Sequence, residues 1–209
     1  MRGFASGLVD ALQEATAVAD PGGGGYKRGM MNTSEHSNTP QPVPPPASRS
    51  LDGRIAVVTG ASSGIGRAIA LELAAGGADL VLHARRSRER LENVARQVQS
   101  LGRESHLVLS DLSTREGQES LVEQAWSWRD RVDAWVNNAG VDVLTGESAS
   151  WSFDKKFEAL WNVDVQATVF LAREVGRRMN ERAGGVIVNM GWDQVAVGMA
   201  GDSGQFFSA

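Results

Sequence analysis

Cysteine is missing from the 209-residue chain, and histidine and tyrosine are scarce. The absence of cysteine excludes a disulfide framework, a thiolate metal site and a cysteine nucleophile. The three histidines, His36, His83 and His106, are too scattered to suggest a metal cluster, so we predict no metal site. The single tyrosine, Tyr26, lies near the N-terminus. A chain without cysteine suits a reducing compartment, and we predict a cytoplasmic protein.

Long apolar runs and a strong excess of one charge are also missing. No run approaches the roughly 18 consecutive apolar residues of a membrane helix. Asp10 and Glu14 interrupt the apolar stretch that a signal peptide would need. The net charge of −4 favours neither nucleic acid nor an anionic membrane as a partner. At 209 residues the chain has room for one sizeable α/β domain and a tail.

Residues 1–50 differ in composition from the rest of the chain. They contain the sequence PGGGG at 21–25 and the sequence QPVPPP at 41–46. Such a segment buries too little apolar surface to offset the entropy lost on ordering, so we predict a disordered, Gly/Pro-rich extension. An alternative interpretation of the proline run is a ligand for an SH3-type domain.

From Ser50 onward, short apolar runs alternate with segments of helical periodicity. The predicted strands are 54–59, 80–82, 106–110, 132–136 and 186–190, and the predicted helices are 64–75, 88–101, 114–129 and 152–182. We expect a capping box formed by Ser113 and Glu116, and a break in the last helix near Asn162. This alternation predicts a Rossmann-like α/β fold, a doubly wound parallel sheet with helices on both faces.

The most informative stretch is RIAVVTGASSGIG, residues 54–66. A strand, a glycine-rich turn and a helix form the unit that holds a dinucleotide pyrophosphate at a helix N-terminus. Gly60 is expected to allow the tight turn, Gly64 a close approach of phosphate, and Gly66 close packing of the helix on the strand. Ser62 and Ser63 can add hydroxyl donors. A purely structural tight turn is the alternative interpretation.

The spacing TGxxxGIG resembles that of the short-chain dehydrogenase/reductase family. Three further motifs of that family follow in the same order: Asp111–Leu112 after the third strand, NNAG at 137–140, and Asn162–Val163 in the long helix. The resemblance covers residues 51–209, which would form an NAD(P)-binding Rossmann domain. It implies a small-molecule carbonyl or alcohol substrate and a homo-oligomer. The cofactor-binding residues that the resemblance and the loop chemistry predict are Gly60, Ser62, Ser63, Gly64, Ile65, Gly66, Asp111, Leu112, Asn138, Ala139 and Gly140.

The end of the second strand favours one cofactor over the other. A carboxylate there would accept hydrogen bonds from the ribose 2′-OH of NAD, whereas a basic residue suits the 2′-phosphate of NADP. The chain has Arg85 and Arg86 and no carboxylate at this point. Because guanidinium groups match phosphate well, we predict NADP(H) rather than NAD(H). The alternative is that these arginines form the solvated start of a helix.

The catalytic part of the resemblance is incomplete. Trp192 and Phe207 occupy the positions of the family's catalytic Ser and Tyr, and the family's Lys would fall two residues beyond Ala209. Phe lacks a hydroxyl, so it cannot act as a general acid or base. Asn162 matches the family residue that organises a proton-relay water, and Asp193 is a candidate substitute in the catalytic loop.

Two functions are therefore predicted as alternatives. The first is an NADP(H)-dependent oxidoreductase that transfers hydride between nicotinamide and a carbonyl or alcohol, with altered or lost catalytic residues. The second is a non-catalytic dinucleotide-binding or scaffold protein. We also expect a C-terminally truncated chain that lacks the last strands of the family's sheet, and that is poorly soluble or shows no reductase turnover.

Overall fold

The fold is a parallel five-stranded sheet, seen in a computed structural model that describes residues 51–182 and 184–191. The strands are β1 (Ile55–Val58), β2 (Asp79–Ala84), β3 (Ser105–Leu109), β4 (Ala134–Asn137) and β5 (Val186–Asn189). Their order in the sheet is β3-β2-β1-β4-β5, and every pair is parallel. The predicted Rossmann-like α/β fold is thereby confirmed. The predicted extension 1–50 and the residues Trp192, Asp193 and Phe207 lie outside the described residues.

The helices follow the strands as predicted. They are α1 (Gly64–Ala75), α2 (Arg88–Ser100), α3 (Arg115–Arg129), α4 (Phe153–Leu160) and α5 (Thr168–Asn180), with a short 3-10 turn at Gly146–Ser150. The predicted break near Asn162 takes the form of a π-helical segment, Trp161–Ala167, which interrupts the α-helical geometry between α4 and α5 without ending the helix. In this segment each backbone hydrogen bond spans one more residue than in an α-helix. Short π-helical segments of this kind are frequent at functional sites.

The core consists of two apolar layers, one on each face of the sheet. On one face Ala56 and Val58 pack against α1 and α2. On the other face Ile55 and Val57 pack against α3 and α5. All of β1 is buried, as expected for a central parallel strand whose apolar residues face helices on both sides. The central part of the sheet is therefore covered by helices on both faces.

The start of α3 corrects the predicted capping box. Thr114 is the N-cap residue, and its Oγ1 accepts a hydrogen bond from the Gly117 amide at 3.1 Å. The Ser113 hydroxyl instead donates to Asp111 Oδ1 at 2.7 Å. Because Ser113 is bonded to Asp111, the cap lies one residue later than predicted, and Glu116 falls at the second position of the helix.

Neither a membrane-spanning helix nor a metal cluster occurs in the described part of the chain. No helix there is both long enough and apolar enough to cross a bilayer. No group of three or more His, Cys, Asp or Glu side chains within residues 51–182 and 184–191 could hold a metal ion.

Candidate functional site

A cleft of about 540 Å³ lies at the carboxyl ends of the strands. The strand order reverses between β1 and β4, which is the point where open parallel sheets bind ligands. The predicted residues that line the cleft are Gly60, Ser62, Ser63, Arg85, Asp111, Leu112, Asn138, Ala139 and Gly140. Gly64, Ile65, Gly66 and Arg86 were predicted too but are not among the residues that line it. The structure thus brings together in one cleft nine residues that the sequence separates by up to 80 positions.

The glycine-rich loop owes its shape to two glycines. Gly60 has a φ of 67°, a left-handed conformation that a residue with a side chain rarely adopts. A Cβ atom added to Gly66 would lie 2.4 Å from both the Gly60 carbonyl oxygen and Asn138 Nδ2. Only glycine therefore allows α1 to approach the loop this closely. At Gly64 an added Cβ would meet no atom within 4 Å, so the backbone faces open space there.

Within residues 51–182 and 184–191, the N-terminus of α1 has no side-chain cap. The N-cap residue Ser63 makes no side-chain capping hydrogen bond, and the first turn contains no acidic residue. The first amides of a helix have no partner within the helix, and the helix dipole favours negative charge at this end. Ser62 and Ser63 line the cleft beside these amides. This arrangement is typical of phosphate sites.

Thr59 connects the glycine-rich loop to the NNAG motif. Its Oγ1 accepts hydrogen bonds from the Asn138 and Ala139 amides, both at 2.9 Å, and donates to the Val136 carbonyl at 3.2 Å. The Asn138 side chain returns a hydrogen bond from Nδ2 to the Thr59 carbonyl at 2.9 Å. Sequence reasoning missed this role of Thr59, although the residue is part of the TG motif.

The charges around the predicted adenine end are organised by Arg85 and Asp111. Arg85 and Arg86 are both exposed, but only Arg85 lines the cleft. Burial raises the pKa of Asp111, but hydrogen bonds from Ser113 and the positive charges of Arg85 and Arg86 outweigh it and hold this pKa below its usual value. The carboxylate is therefore ionised at neutral pH, beside an arginine that remains open to the cleft.

The other end of the cleft contains residues that sequence reasoning did not select. Asp142, Glu147, Ser148 and Trp151 line it, around the 3-10 turn. The Trp151 Nε1 atom is buried and has no hydrogen-bond partner among the described residues. A hydrogen bond from the Thr145 hydroxyl and others from the Leu144 and Thr145 amides lower the pKa of Asp142, so this carboxylate is ionised. This end of the cleft is therefore acidic, in contrast to the end at Arg85.

The π-helical segment places Asp164, rather than Asn162, against the loop after β4. The Asn162 side chain accepts a hydrogen bond from Gln166 at 3.5 Å and is not among the residues lining the cleft. Asp164 Oδ1 accepts a hydrogen bond from the Val141 amide at 3.0 Å and lies beneath Gly140. Burial raises the pKa of Asp164 to about 6, against the opposite effect of the Val141 hydrogen bond.

Replacing Asp164 with Asn is expected to stabilise the protein at pH 8 by about 1 kcal/mol, a value reduced for the exposed part of the side chain. The pKa of Asp164 is about 6 in the folded protein and 3.8 in the unfolded chain. The folded state binds more protons in this interval, so the contribution of Asp164 to stability is full below pH 3.8 and is lost as pH rises through 6. Asn keeps the acceptor for Val141 without the charge.

Urea unfolding at pH 4.5 and pH 8 checks this expectation. The gain should be largest at pH 8 and fall to about a third of that value at pH 4.5, because the acidic pH still lies above the unfolded pKa of 3.8. The variant Glu158→Gln, which removes an exposed charge from α4, is the matched control and should change little at either pH. Equal effects of D164N at both pH values would contradict the account.

Comparison with known proteins agrees with this geometry. Residues 54–203 match the short chain dehydrogenase family. The chain belongs to this family. The short-chain dehydrogenase/reductase FrzI of Cladobotryum sp is 42% identical over 132 residues, which are 62% of this chain and 48% of that protein. A 2-dehydro-3-deoxy-D-gluconate 5-dehydrogenase of Dickeya dadantii is 30% identical over 142 residues, 67% of this chain and 54% of that protein.

Solved structures of short-chain dehydrogenases have the same fold. A metagenomic short-chain oxidoreductase in complex with NADP has a TM-score of 0.67 and 33% identity, over 76% of this chain and 70% of that one. A short chain dehydrogenase from Burkholderia cenocepacia in complex with NADP has a TM-score of 0.64 and 30% identity, over 76% of this chain and 62% of that one. The predicted family is confirmed. The chain spans about half the length of the curated relatives it matches.

Proposed function

We propose that this short-chain dehydrogenase binds NADP(H) in the cleft and acts as an oxidoreductase on a small carbonyl or alcohol substrate. The observation that carries the proposal is the pairing of an uncapped helix N-terminus with an exposed arginine, Arg85, in one cleft. Two solved relatives that were determined in complex with NADP support it. The proposed dinucleotide-binding domain covers residues 51–209.

The residues present fit an NADP molecule. The open backbone at Gly64, the first amides of α1 and the hydroxyls of Ser62 and Ser63 would hold the pyrophosphate. Arg85 would pair with the 2′-phosphate. Asp111 and Leu112 would contact the adenine, as the family resemblance implies. When bound, the nicotinamide supplies or accepts a hydride at its C4 atom.

Replacing Arg85 with Ala is expected to weaken NADPH binding at least about tenfold and to leave NADH binding unchanged, because a guanidinium–phosphate pair contributes about 1.5–3 kcal/mol. Fluorescence titration with each cofactor measures both affinities. Arg90→Ala removes the same charge from α2 but from a residue that does not line the cleft, so it should leave both affinities nearly unchanged. An equal loss for NADPH in the two variants would contradict a specific role of Arg85.

A second candidate function is dinucleotide binding without catalysis. The identities of Trp192 and Phe207, at the positions of the family's Ser and Tyr, favour it, because neither residue can act as a general acid or base. NADPH binding and NADPH oxidation with a panel of carbonyl substrates should be measured separately. Binding without turnover would support the second function. If turnover occurs, Asp193→Asn tests whether that carboxylate substitutes for the missing hydroxyl.

We also propose that the chain forms a homo-oligomer through the helix face that carries Phe157, Trp161, Val165 and Val169. These side chains are 51%, 46%, 39% and 62% exposed, and they recur every four residues from α4 to α5. Phe157 and Trp161 stack with ring centroids 6.3 Å apart. A contiguous exposed apolar stripe of this kind is typical of a protein–protein interface.

Replacing Trp161 with Asp is expected to weaken self-association at least about tenfold, because it places an unpaired charge in the apolar contact. Analytical ultracentrifugation over a range of concentrations measures the effect. Leu101→Asp introduces the same charge at an exposed apolar residue outside the stripe and should leave association unchanged. Equal association of the wild-type chain and the Trp161 variant would contradict the proposed interface.

A further inference from the structure

His83 is a buried polar residue at the bottom of the cleft. It occupies the penultimate position of β2, is only 2% exposed, and lines the cleft with Gly60 and Arg85. A histidine buried this deeply must satisfy both ring nitrogens, since an unpaired buried polar group is costly. The hydrogen-bond partners of the two ring nitrogens therefore indicate the role of the His83 side chain.

Both ring nitrogens have backbone partners from neighbouring strand ends. Nε2 lies 3.0 Å from the Ser110 carbonyl oxygen, immediately after β3. Nδ1 accepts a hydrogen bond from the Gly60 amide at 3.4 Å, in the glycine-rich loop after β1. The backbone carbonyl of His83 accepts a second hydrogen bond from that loop, from the Ala61 amide at 2.8 Å. One residue thus joins the carboxyl ends of three adjacent strands.

These partners define the protonation state of the ring. The Ser110 carbonyl can only accept, so Nε2 carries the proton, and the Gly60 amide can only donate, so Nδ1 is bare. Burial lowers the pKa of His83 to about 4, although the Ser110 hydrogen bond and the negative charge of Asp111 both raise it. The ring is therefore neutral at pH 7, which is the form that both contacts require.

We propose that His83 is a positioning residue for the dinucleotide site, whose neutral ring holds the Gly60 amide and thereby fixes the glycine-rich loop in the conformation that receives the pyrophosphate. The inference rests on the proposed function of the cleft. A loop that is held before binding loses less conformational entropy when the ligand arrives, so its affinity is higher. The ring itself need not touch the ligand.

Replacing His83 with Phe tests the proposal, because Phe fills the space without either ring hydrogen bond. In the 209-residue chain, NADPH affinity is expected to fall about tenfold, the equivalent of one or two lost hydrogen bonds. Hydrogen exchange should become faster at the Gly60 amide but not at the Ala61 amide, whose acceptor is the backbone carbonyl of residue 83. His106→Phe is the matched control: His106 stacks on Trp128 and does not contact the loop, so NADPH affinity should stay within twofold.

A spectroscopic measurement on the unsubstituted chain decides the matter even if the Phe variant does not fold. Nitrogen-15 NMR of the histidine rings should show His83 neutral and protonated on Nε2 at pH 7. A ring protonated on Nδ1, or a charged ring, would overturn the proposal, as would a folded Phe variant with unchanged NADPH affinity and unchanged Gly60 exchange. Failure of the unsubstituted chain to bind NADPH would refute the proposed function instead. In that case the His83 tautomer and the exchange rate of the Gly60 amide would still test whether the ring fixes the glycine-rich loop.

Discussion

Replacing Gly66 with Ala is expected to reduce the free energy of unfolding by about 3 kcal/mol and to abolish measurable NADPH binding. The new Cβ would lie 2.4 Å from the Gly60 carbonyl oxygen, a backbone atom that cannot move without the loop. Helix α1 would have to separate from the loop, and both the packing of the helix and the alignment of its first amides would be lost. Urea unfolding followed by circular dichroism measures the first effect, and fluorescence titration the second.

Gly64→Ala is the matched control for the Gly66 variant. An added Cβ at Gly64 meets no atom within 4 Å, so the expected loss of stability comes only from its left-handed backbone, with a φ of 56°, and is about 1 kcal/mol. If the two variants lost the same free energy of unfolding, close packing of α1 on the loop would not explain why residue 66 must be glycine.

Replacing Thr59 with Val is expected to cost about 3 kcal/mol of stability, even though the two side chains have nearly the same shape. The change removes the oxygen that accepts from the Asn138 and Ala139 amides. Each of these partly buried amides would lose its partner, and an amide left unpaired out of water costs about 1–3 kcal/mol. Because Thr59 is 1% exposed, water cannot replace the lost acceptor unless the fold opens.

Thr114→Val makes the same chemical change at a single helix cap. Thr114 Oγ1 accepts one hydrogen bond, from Gly117, at the exposed start of α3, so the expected loss is about 1 kcal/mol. Urea unfolding of both variants gives the comparison. A loss for the Thr59 variant no larger than that for the Thr114 variant would show that the link between the TG and NNAG motifs contributes little to stability.

The sheet and its helices could be predicted from sequence because their signals are local. Buried parallel strands such as 55–58 appear as continuous apolar runs, and helices such as 64–75 have a clear apolar face. The glycine-rich loop was recognisable for the same reason, since its glycines are required by the backbone within a few residues of each other. The family resemblance rested on these local patterns and was confirmed.

The contacts that shape the site could not be predicted in the same way. Thr59 and Asn138 are 79 positions apart, and His83 meets Ser110 across a separation of 27. No periodicity in the sequence indicates such pairs. The capping box was placed one residue early because Ser113 had a competing partner in Asp111.

The prediction for Asn162 came from the family resemblance, and the sequence gives no sign of the π-helical segment, Trp161–Ala167, in which this residue lies. With an extra residue per turn, the side chains that face the loop after β4 differ from those of a regular α-helix. Asp164 contacts Val141 as a result, whereas Asn162 pairs with Gln166. The catalytic role predicted for Asn162 remains a prediction, and comparing the NADPH affinities of Asn162→Ala and Asp164→Ala would test which of the two residues supports the site.

The central claim is that the cleft is an NADP(H) site, and its most direct test is equilibrium titration of the 209-residue chain with NADPH and with NADH. We expect saturable NADPH binding in the micromolar range, and NADH binding at least about tenfold weaker, because only NADPH carries the phosphate that Arg85 can pair with. A folded chain that binds neither dinucleotide, or that binds both equally, would contradict the account.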